Sequence, residues 1–385
     1  AEFKKALENL CVPIEYKESK TPNKDGSPRQ IPAFARTDAF MVGLLEHPDE
    51  RVQVLASARL AHKSTIEETR AQRFLDIAKL PWGEQPLLPA ALRYGGAHTH
   101  RLSGEFGLNL QNLPRDPAKS KLRHALLAPP GYQVVTADLA QIEARIAAWF
   151  CGQHDLVQQF ANGDDAYSKL ASEIFGFAVN KKQHPVHRHI GKAGILGAGY
   201  GCGAQRFYQM VVAQSRQFDI ALGDVFTPGI ATKTIDTYRQ KFPYIAAMWT
   251  QLDRALLVLL DKHSTEYRVI RPVTLRSGRI VLPNGLCLLY DLNRTDHNLY
   301  GAKLLENITQ ALARIVLMQA ALRLAARGYK FCLSVHDELV YIVPDADISN
   351  AKQIIHAELT RVPNWAPGLP LAVDIGAGAN YGTSK

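Results

Sequence analysis

GYQVVTADLAQIEARIAAWF, residues 131–150, decides the fold. Val134 and Val135 lie in a short apolar run that stops at Asp138, and such a run reads as a buried strand. The period then changes: at 100° per residue Leu139, Ile142, Ile146, Trp149 and Phe150 form one apolar arc, so the chain passes from strand into amphipathic helix. An aspartate at such a switch is ordinary as a helix N-cap. Glu143 falls beside the arc, which predicts a half-buried carboxylate. A group of that kind needs either a cationic partner or a task.

Towards the C-terminus, residues 331–343 (FCLSVHDELVYIV) read as two apolar strands around a polar tip of His336, Asp337 and Glu338. Residues 304–328 (LLENITQALARIVLMQAALRLAARG) predict a long helix stopped at Gly328, a natural left-handed cap. Residues 274–286 (TLRSGRIVLPNGL) predict a hairpin turning at Ser277-Gly278, with Arg276 and Arg279 beside the turn. Charged turn tips are common, and each acid alone keeps a structural reading. Together they say more, because Asp138 ends one buried strand while Asp337 and Glu338 crown a hairpin of two others. Carboxylates from such strand ends can converge at one sheet edge. Magnesium binds through one or two carboxylates completed by water and phosphate oxygens, so this sparse set suffices once a triphosphate arrives.

The 385 residues carry 45 Lys+Arg against 36 Asp+Glu, a formal charge of +9. A basic excess of this kind favours a polyanionic partner, nucleic acid ahead of an anionic membrane surface. Five scattered cysteines without a C-x-x-C argue against a disulfide framework or a structural zinc, and imply a reducing compartment. No uninterrupted apolar run approaches the roughly 18 residues of a membrane span. Towards the N-terminus, residues 17–32 read as an exposed loop, and Ser64 with Glu67 as a capping box ahead of a helix. Residues 81–115, rich in Pro, Gly and amides, read as extended chain joining two subdomains, with a boundary near residue 95. Ala1 is not a methionine, which leaves a processed chain or a missing N-terminal domain as alternatives.

Residues 187–203 (HRHIGKAGILGAGYGCG) set Arg188, Lys192, Leu196 and Tyr200 four apart, so that on a helix two cations lead and an aromatic follows along one stripe. Six glycines crowd the same run, each costing about 1 kcal/mol against alanine inside a helix. Close approach by another group would justify that cost. Gly199-x-Gly201-x-x-Ala204 fits a relaxed dinucleotide fingerprint, but no strand precedes it. His184, His187 and His189 lack a cysteine or carboxylate to complete a zinc set, and a solvated cationic face is the competing reading.

These runs carry a resemblance. ADLAQIEAR (137–145) resembles motif A of the family A DNA polymerases, SVHDELV (334–340) their motif C, and the 188–201 spacing their motif B. The resemblance implies an α+β right-hand fold with antiparallel palm sheet, helical fingers and helical thumb. It divides the chain into thumb (1–94), first palm segment (95–154), fingers (155–268) and second palm segment (269–385). It also implies two magnesium ions, replaceable by manganese, held by Asp138, Asp337 and the backbone carbonyl of Leu139, with Glu338 auxiliary. Glu143 would block a ribose 2′-hydroxyl and Gln141 would lie at the nucleotide. Arg188 and Lys192 would grip the triphosphate, Tyr200 would stand at the templating base, and Leu196 replaces the usual Phe or Tyr against the sugar.

NLQNLP (109–114) and ENITQALAR (306–314) resemble the family's duplex-contacting segments. By that likeness Arg101, Asn109, Gln111, Asn112, Gly201, Gln310 and His336 would contact primer-template DNA. Donors suit that task, because every correct pair offers acceptors at similar minor-groove positions. The implied reaction is extension of a primer with deoxynucleoside triphosphates in a cytoplasmic setting, a phage gene in a bacterial host being one source, without a membrane partner. A two-metal nuclease, an RNA-synthesising relative and a non-catalytic DNA-binding subunit are the rivals. The nuclease would not need the Arg188/Lys192 stripe, and Glu143 argues against RNA synthesis. No Asp-x-Glu precedes residue 95, so no upstream exonuclease site is visible.

Overall fold

The computed structural model describes residues 2–19, 23, 27–35, 38–62, 66–83, 87–114, 121–217, 220–293 and 299–384. It divides into two compact units, Ala1–Leu87 and Leu88–Lys385. The first unit contains helices α1 (Glu2–Asn9), α2 (Ala39–Leu44), α3 (Glu50–His62) and α4 (Ile66–Ala78), and a two-stranded ladder of β1 (Tyr16–Glu18) and β2 (Gln30–Pro32). Phe3, Leu7, Met41, Leu44, Val52 and Ala56 close its own small core. The expected loop over 17–32 is thus pinned at its base, where Lys17 pairs with Ile31 and Glu18 with Gln30. Three residues per strand are too few to show a period in sequence. Ser64, half of the expected capping box, lies outside the described residues, and Glu67 accepts a hydrogen bond from Arg70.

The second unit begins with the short pair β3 (Leu92–Arg93) and β4 (Ser103–Gly104), then the long strand β5 (Tyr132–Leu139) and helix α5 (Ile142–Phe150). A helical block follows: α6 (His154–Ala161), α7 (Ala166–Phe175), α8 (Pro185–Ala193), α9 (Ala204–Gln217), α10 (Pro228–Lys241) and α11 (Pro243–Leu259). Between α8 and α9, residues Gly194–Ala198 form a π-helical turn. β6 (Tyr267–Ile270), β7 (Val273–Arg276), β8 (Arg279–Val281) and β9 (Cys287–Leu289) make an antiparallel sheet that contains the expected hairpin. Helix α12 (Gly301–Ala326), strands β10 (Leu333–Val335) and β11 (Glu338–Pro344), helix α13 (Ile348–Leu359) and strand β12 (Val373–Gly378) complete the chain.

The sheet β10-β11-β5-β12 is antiparallel throughout. Val134, Val135, Thr136 and Ala137 on β5 are all buried, which explains an unbroken apolar reading where a one-sided strand would alternate. Thr136, the one polar member, donates its hydroxyl proton to the Ser384 carbonyl at 2.8 Å. Helix α12 is apolar on nearly every side, with Leu304, Leu305, Ile308, Leu312, Leu317 and Leu324 buried. By length and a mean hydropathy of 1.3 it could cross a bilayer, yet 67% of that stretch is buried inside the protein, as befits a core helix. Gly328 ends the run with φ +92°, in the left-handed region.

Candidate active site

The strand-to-helix switch after Asp138 is built by Arg145. Its side chain is 5% exposed, and its Nε donates to the Ala140 carbonyl (2.8 Å) while Nη1 donates to that of Phe160 (3.1 Å). These bonds hold the backbone where Gln141 takes φ +54°. His336, at the exposed tip of the β10–β11 turn, also has a positive φ of +55°. For non-glycine residues such conformations cost energy and persist only where the surroundings over-determine them. Both flank the acids, one on each side of the site.

Register brings the carboxylates together. Glu338 on β11 pairs across to Asp138 on β5, and Asp138 pairs on its other side with Asp374 on β12. Directly opposite residues share a face, so three strands carry an acidic row. The Leu139 N–H donates to the Asp337 carbonyl at 3.0 Å, which fixes the turn against the end of β5. Glu338 is buried and accepts from the Tyr381 hydroxyl at 2.7 Å, a structural bond deep in the sheet. Asp337 sits in a recess where burial pushes its carboxyl up to about 6. Arg101 opposes that shift, while Glu143 and Asp138 add to it.

Arg101 is the cation of this cluster. Its Nη2 donates to Asp337 Oδ1 at 3.0 Å and also to Glu143. Glu143 therefore has the partner that its half-buried position required. Tyr200 lies close by, its hydroxyl raised well above the usual tyrosine range by burial, with Glu143, Tyr238 and Glu306 adding to the shift. Arg188 and Lys192 stand on α8. Arg188 is engaged by Asp165, while Lys192 and Leu196 line a cleft of about 420 Å³ with His189, Met210 and Gln214. The π turn carries Leu196 and shifts the stripe away from the ideal four-residue drift.

The remaining expected contacts divide. Gln111 is buried and donates to the Ser334 carbonyl at 3.1 Å, so its side chain supports β10. Asn109 caps the short helical turn by accepting from the Gln111 N–H at 3.0 Å, while Asn112 is exposed. Gln310 accepts from the Thr99 hydroxyl and donates to Glu306, both at 3.3 Å. Gly201 has φ +76° and meets the Ala302 methyl so closely that a Cβ there would lie 2.7 Å from it. Arg314 and Asp374 were not singled out from the sequence. Arg314, nearly buried, donates to the His100 carbonyl at 3.1 Å and lies over the Tyr94 ring. Its position within the ENITQALAR run was the available signal.

With this geometry in hand, the comparisons are decisive about family. The model of DNA polymerase family A matches residues 56–256, more than half of the chain. The chain belongs to DNA polymerase family A. It is 24% identical over 376 residues to the DNA polymerase of Bacillus phage SP02, covering 81% of this chain and 55% of that protein. It is 25% identical over 279 residues to the thermostable DNA polymerase I of Thermus caldophilus, covering 72% of this chain and 30% of that one. The fold is similar to the POL domain of Pol1 from M. smegmatis, solved in complex with DNA primer-template and dNTP. That likeness has a TM-score of 0.69 at 22% identity, covering 99% of this chain and 61% of the other. The chain thus spans about half the length of the phage relative and under a third of the Thermus one. The α+β polymerase fold expected from the sequence is the fold observed.

Members of DNA polymerase family A use divalent metal ions. Here an acidic cluster, recessed enough to push one carboxyl up to about 6, is offset by Arg101, so the donor set suits a hard cation. Among the described residues no group of three His, Cys, Asp or Glu converges to enclose an ion. A site of this kind leaves positions for water and substrate oxygens.

Proposed function

We propose that this chain is the polymerase module of a template-directed DNA polymerase, extending a primer 3′-hydroxyl with deoxynucleoside triphosphates on primer-template DNA. The observation that carries the reading is the junction of Asp138 and Asp337, held together by the Leu139 N–H to Asp337 carbonyl bond. Family membership and the cations of α8 support it. In this reading residues 1–94 are the thumb, 95–154 and 269–385 the palm, and 155–268 the fingers.

Asp138 and Asp337, with the Leu139 carbonyl, would hold two magnesium ions. Bound there, the ions would lower the pKa of the primer hydroxyl and stabilise charge developing on the α-phosphate. The protein's own groups do the rest. Arg188 and Lys192 bind the triphosphate, Tyr200 supports the templating pair, and Glu143 closes the space beside the sugar 2′ position. Asp138→Ala or Asp337→Ala is expected to abolish primer extension while leaving DNA binding intact. Undiminished extension in either variant overturns the reading, as does shortening of the primer in place of extension.

A further inference from the structure

Arg188 is held on three sides, more constraint than an arginine needs merely to carry charge. Asp165 takes one edge of its guanidinium: Nε donates to Oδ2 at 2.6 Å and Nη2 to Oδ1 at 3.2 Å. Asp165 is itself fixed, because it caps α7, accepting from the Ser168 N–H (3.4 Å) and from the Ser168 hydroxyl (2.7 Å). The Tyr167 ring, 5% exposed, lies under the guanidinium with Cζ 5.3 Å from its centroid. One turn along α8, Gly191 lets the two helices meet at backbone distance, since a Cβ there would lie 2.2 Å from the Tyr167 carbonyl. Edge, face and helix spacing are all set by α7.

A guanidinium has five N–H donors in a rigid fork, and this pairing consumes two. The other edge, Nη1 with the second Nη2 proton, meets no acceptor among the described residues, and the side chain remains 22% exposed. That edge has the geometry that binds phosphate oxygens bidentately.

We infer that Asp165 and Tyr167 are positioning residues for Arg188, pre-setting its free edge to receive the phosphates of the incoming nucleoside triphosphate. The carboxylate orients the fork from behind and the ring prevents it from tipping, so little side-chain freedom is lost when the triphosphate binds. The inference rests on the proposed polymerase reading. It makes a distinct demand, that α7 acts on nucleotide affinity through one arginine.

The test is steady-state single-nucleotide insertion on a primed template by Asp165→Asn, Arg188→Ala and the double variant, with Tm and primer-template Kd measured alongside. Extension by the parent enzyme comes first, so failure of the polymerase reading would be seen there and not mistaken for failure of this inference. Asn keeps the cap but loses the charge-assisted bidentate pair. Asp165→Asn should raise KM for the nucleotide about tenfold with a smaller change in kcat. In the Arg188→Ala background the same change should do nothing further. Tyr167→Leu, which removes the ring beneath the guanidinium, should raise KM as well. An equal KM increase with and without Arg188 would make Asp165 a structural residue only. A fall in KM would mean that Asp165 competes with the triphosphate for Arg188. Either result overturns the inference, and so does an unchanged KM with lowered Tm.

Discussion

Arg101 and Asp337, 236 positions apart in sequence, form one ion pair, with Nη2 of the arginine 3.0 Å from Oδ1 of the aspartate. The same nitrogen reaches Glu143. The arginine expected from the resemblance to contact a duplex therefore lies against the carboxylates expected to serve metal and sugar. Both sides of the pair are about a fifth exposed, so water screens it in part.

Arg101→Ala should leave those acids facing one another without their cation. The DNA-free protein is then expected to lose on the order of 1–2 kcal/mol of stability. Its affinity for manganese should rise at the same time, because the competing positive charge is gone. Thermal unfolding with and without manganese measures both effects. Equal manganese stabilisation in parent and variant would show that Arg101 does not compete at the site.

Glu143 pairs with Arg101 close to Tyr200, so its carboxylate forms a wall at that point of the site. Glu143→Ala removes that wall, and ribonucleotide insertion relative to deoxynucleotide should increase at least about tenfold. Competing single-nucleotide insertions give the ratio directly. An unchanged preference would assign Glu143 to pairing with Arg101 alone.

The strand, switch and hairpin that carry Asp138 and Asp337 were legible because each has a local signal: an apolar run, a change of period, a polar tip. The α+β fold followed from those signals with the family likeness. Other features had no local signal. Arg101's partners lie in distant segments, and no periodicity links residue 101 to residue 337. The NLQNLP likeness placed Gln111 among the duplex contacts, whereas its bond to the Ser334 carbonyl of β10, 223 positions away, had no local signal. Asp374 joins the acidic row only through the register of β12, whose VDIGAG run has too little alternation to declare a strand. The π turn at 194–198 was hidden because glycines suit any helical pitch.

Gly191 and Gly203 belong to the same glycine-rich run but face different surroundings. A Cβ at 191 would strike the Tyr167 carbonyl at 2.2 Å, whereas one at 203 meets nothing within 4 Å. Gly191→Ala must push α8 off α7 and is expected to cost about 1–3 kcal/mol, as overpacking does. Gly203→Ala should be neutral within about 0.5 kcal/mol. Denaturant unfolding of the two variants decides whether helix contact is what demands glycine at 191. Equal losses at both positions would contradict the contact argument.

Glu358 supplies a pH dependence remote from the acidic site. Arg323 donates to its carboxylate at 2.6 Å and to its backbone carbonyl at 2.7 Å, with Arg327 at 3.3 Å and Arg361 at 3.9 Å. The Arg323 bond, against the opposing effect of burial, holds the carboxyl below its ordinary value of 4.5, and the three arginine charges add to the lowering. A depressed folded-state pKa contributes stability that is complete above the unfolded value and vanishes as pH falls through the folded one. Glu358→Gln removes the charge and leaves three arginines around an amide, so at neutral pH it should cost roughly 1 kcal/mol, with exposed partners limiting the loss. As pH falls through the lowered folded-state value the parent protonates Glu358 as well, and the two proteins should converge in Tm. A Tm difference that stays constant from neutral to acid pH would mean that the glutamate acts through shape and hydrogen bonding, with its charge irrelevant to the joint between α12 and α13.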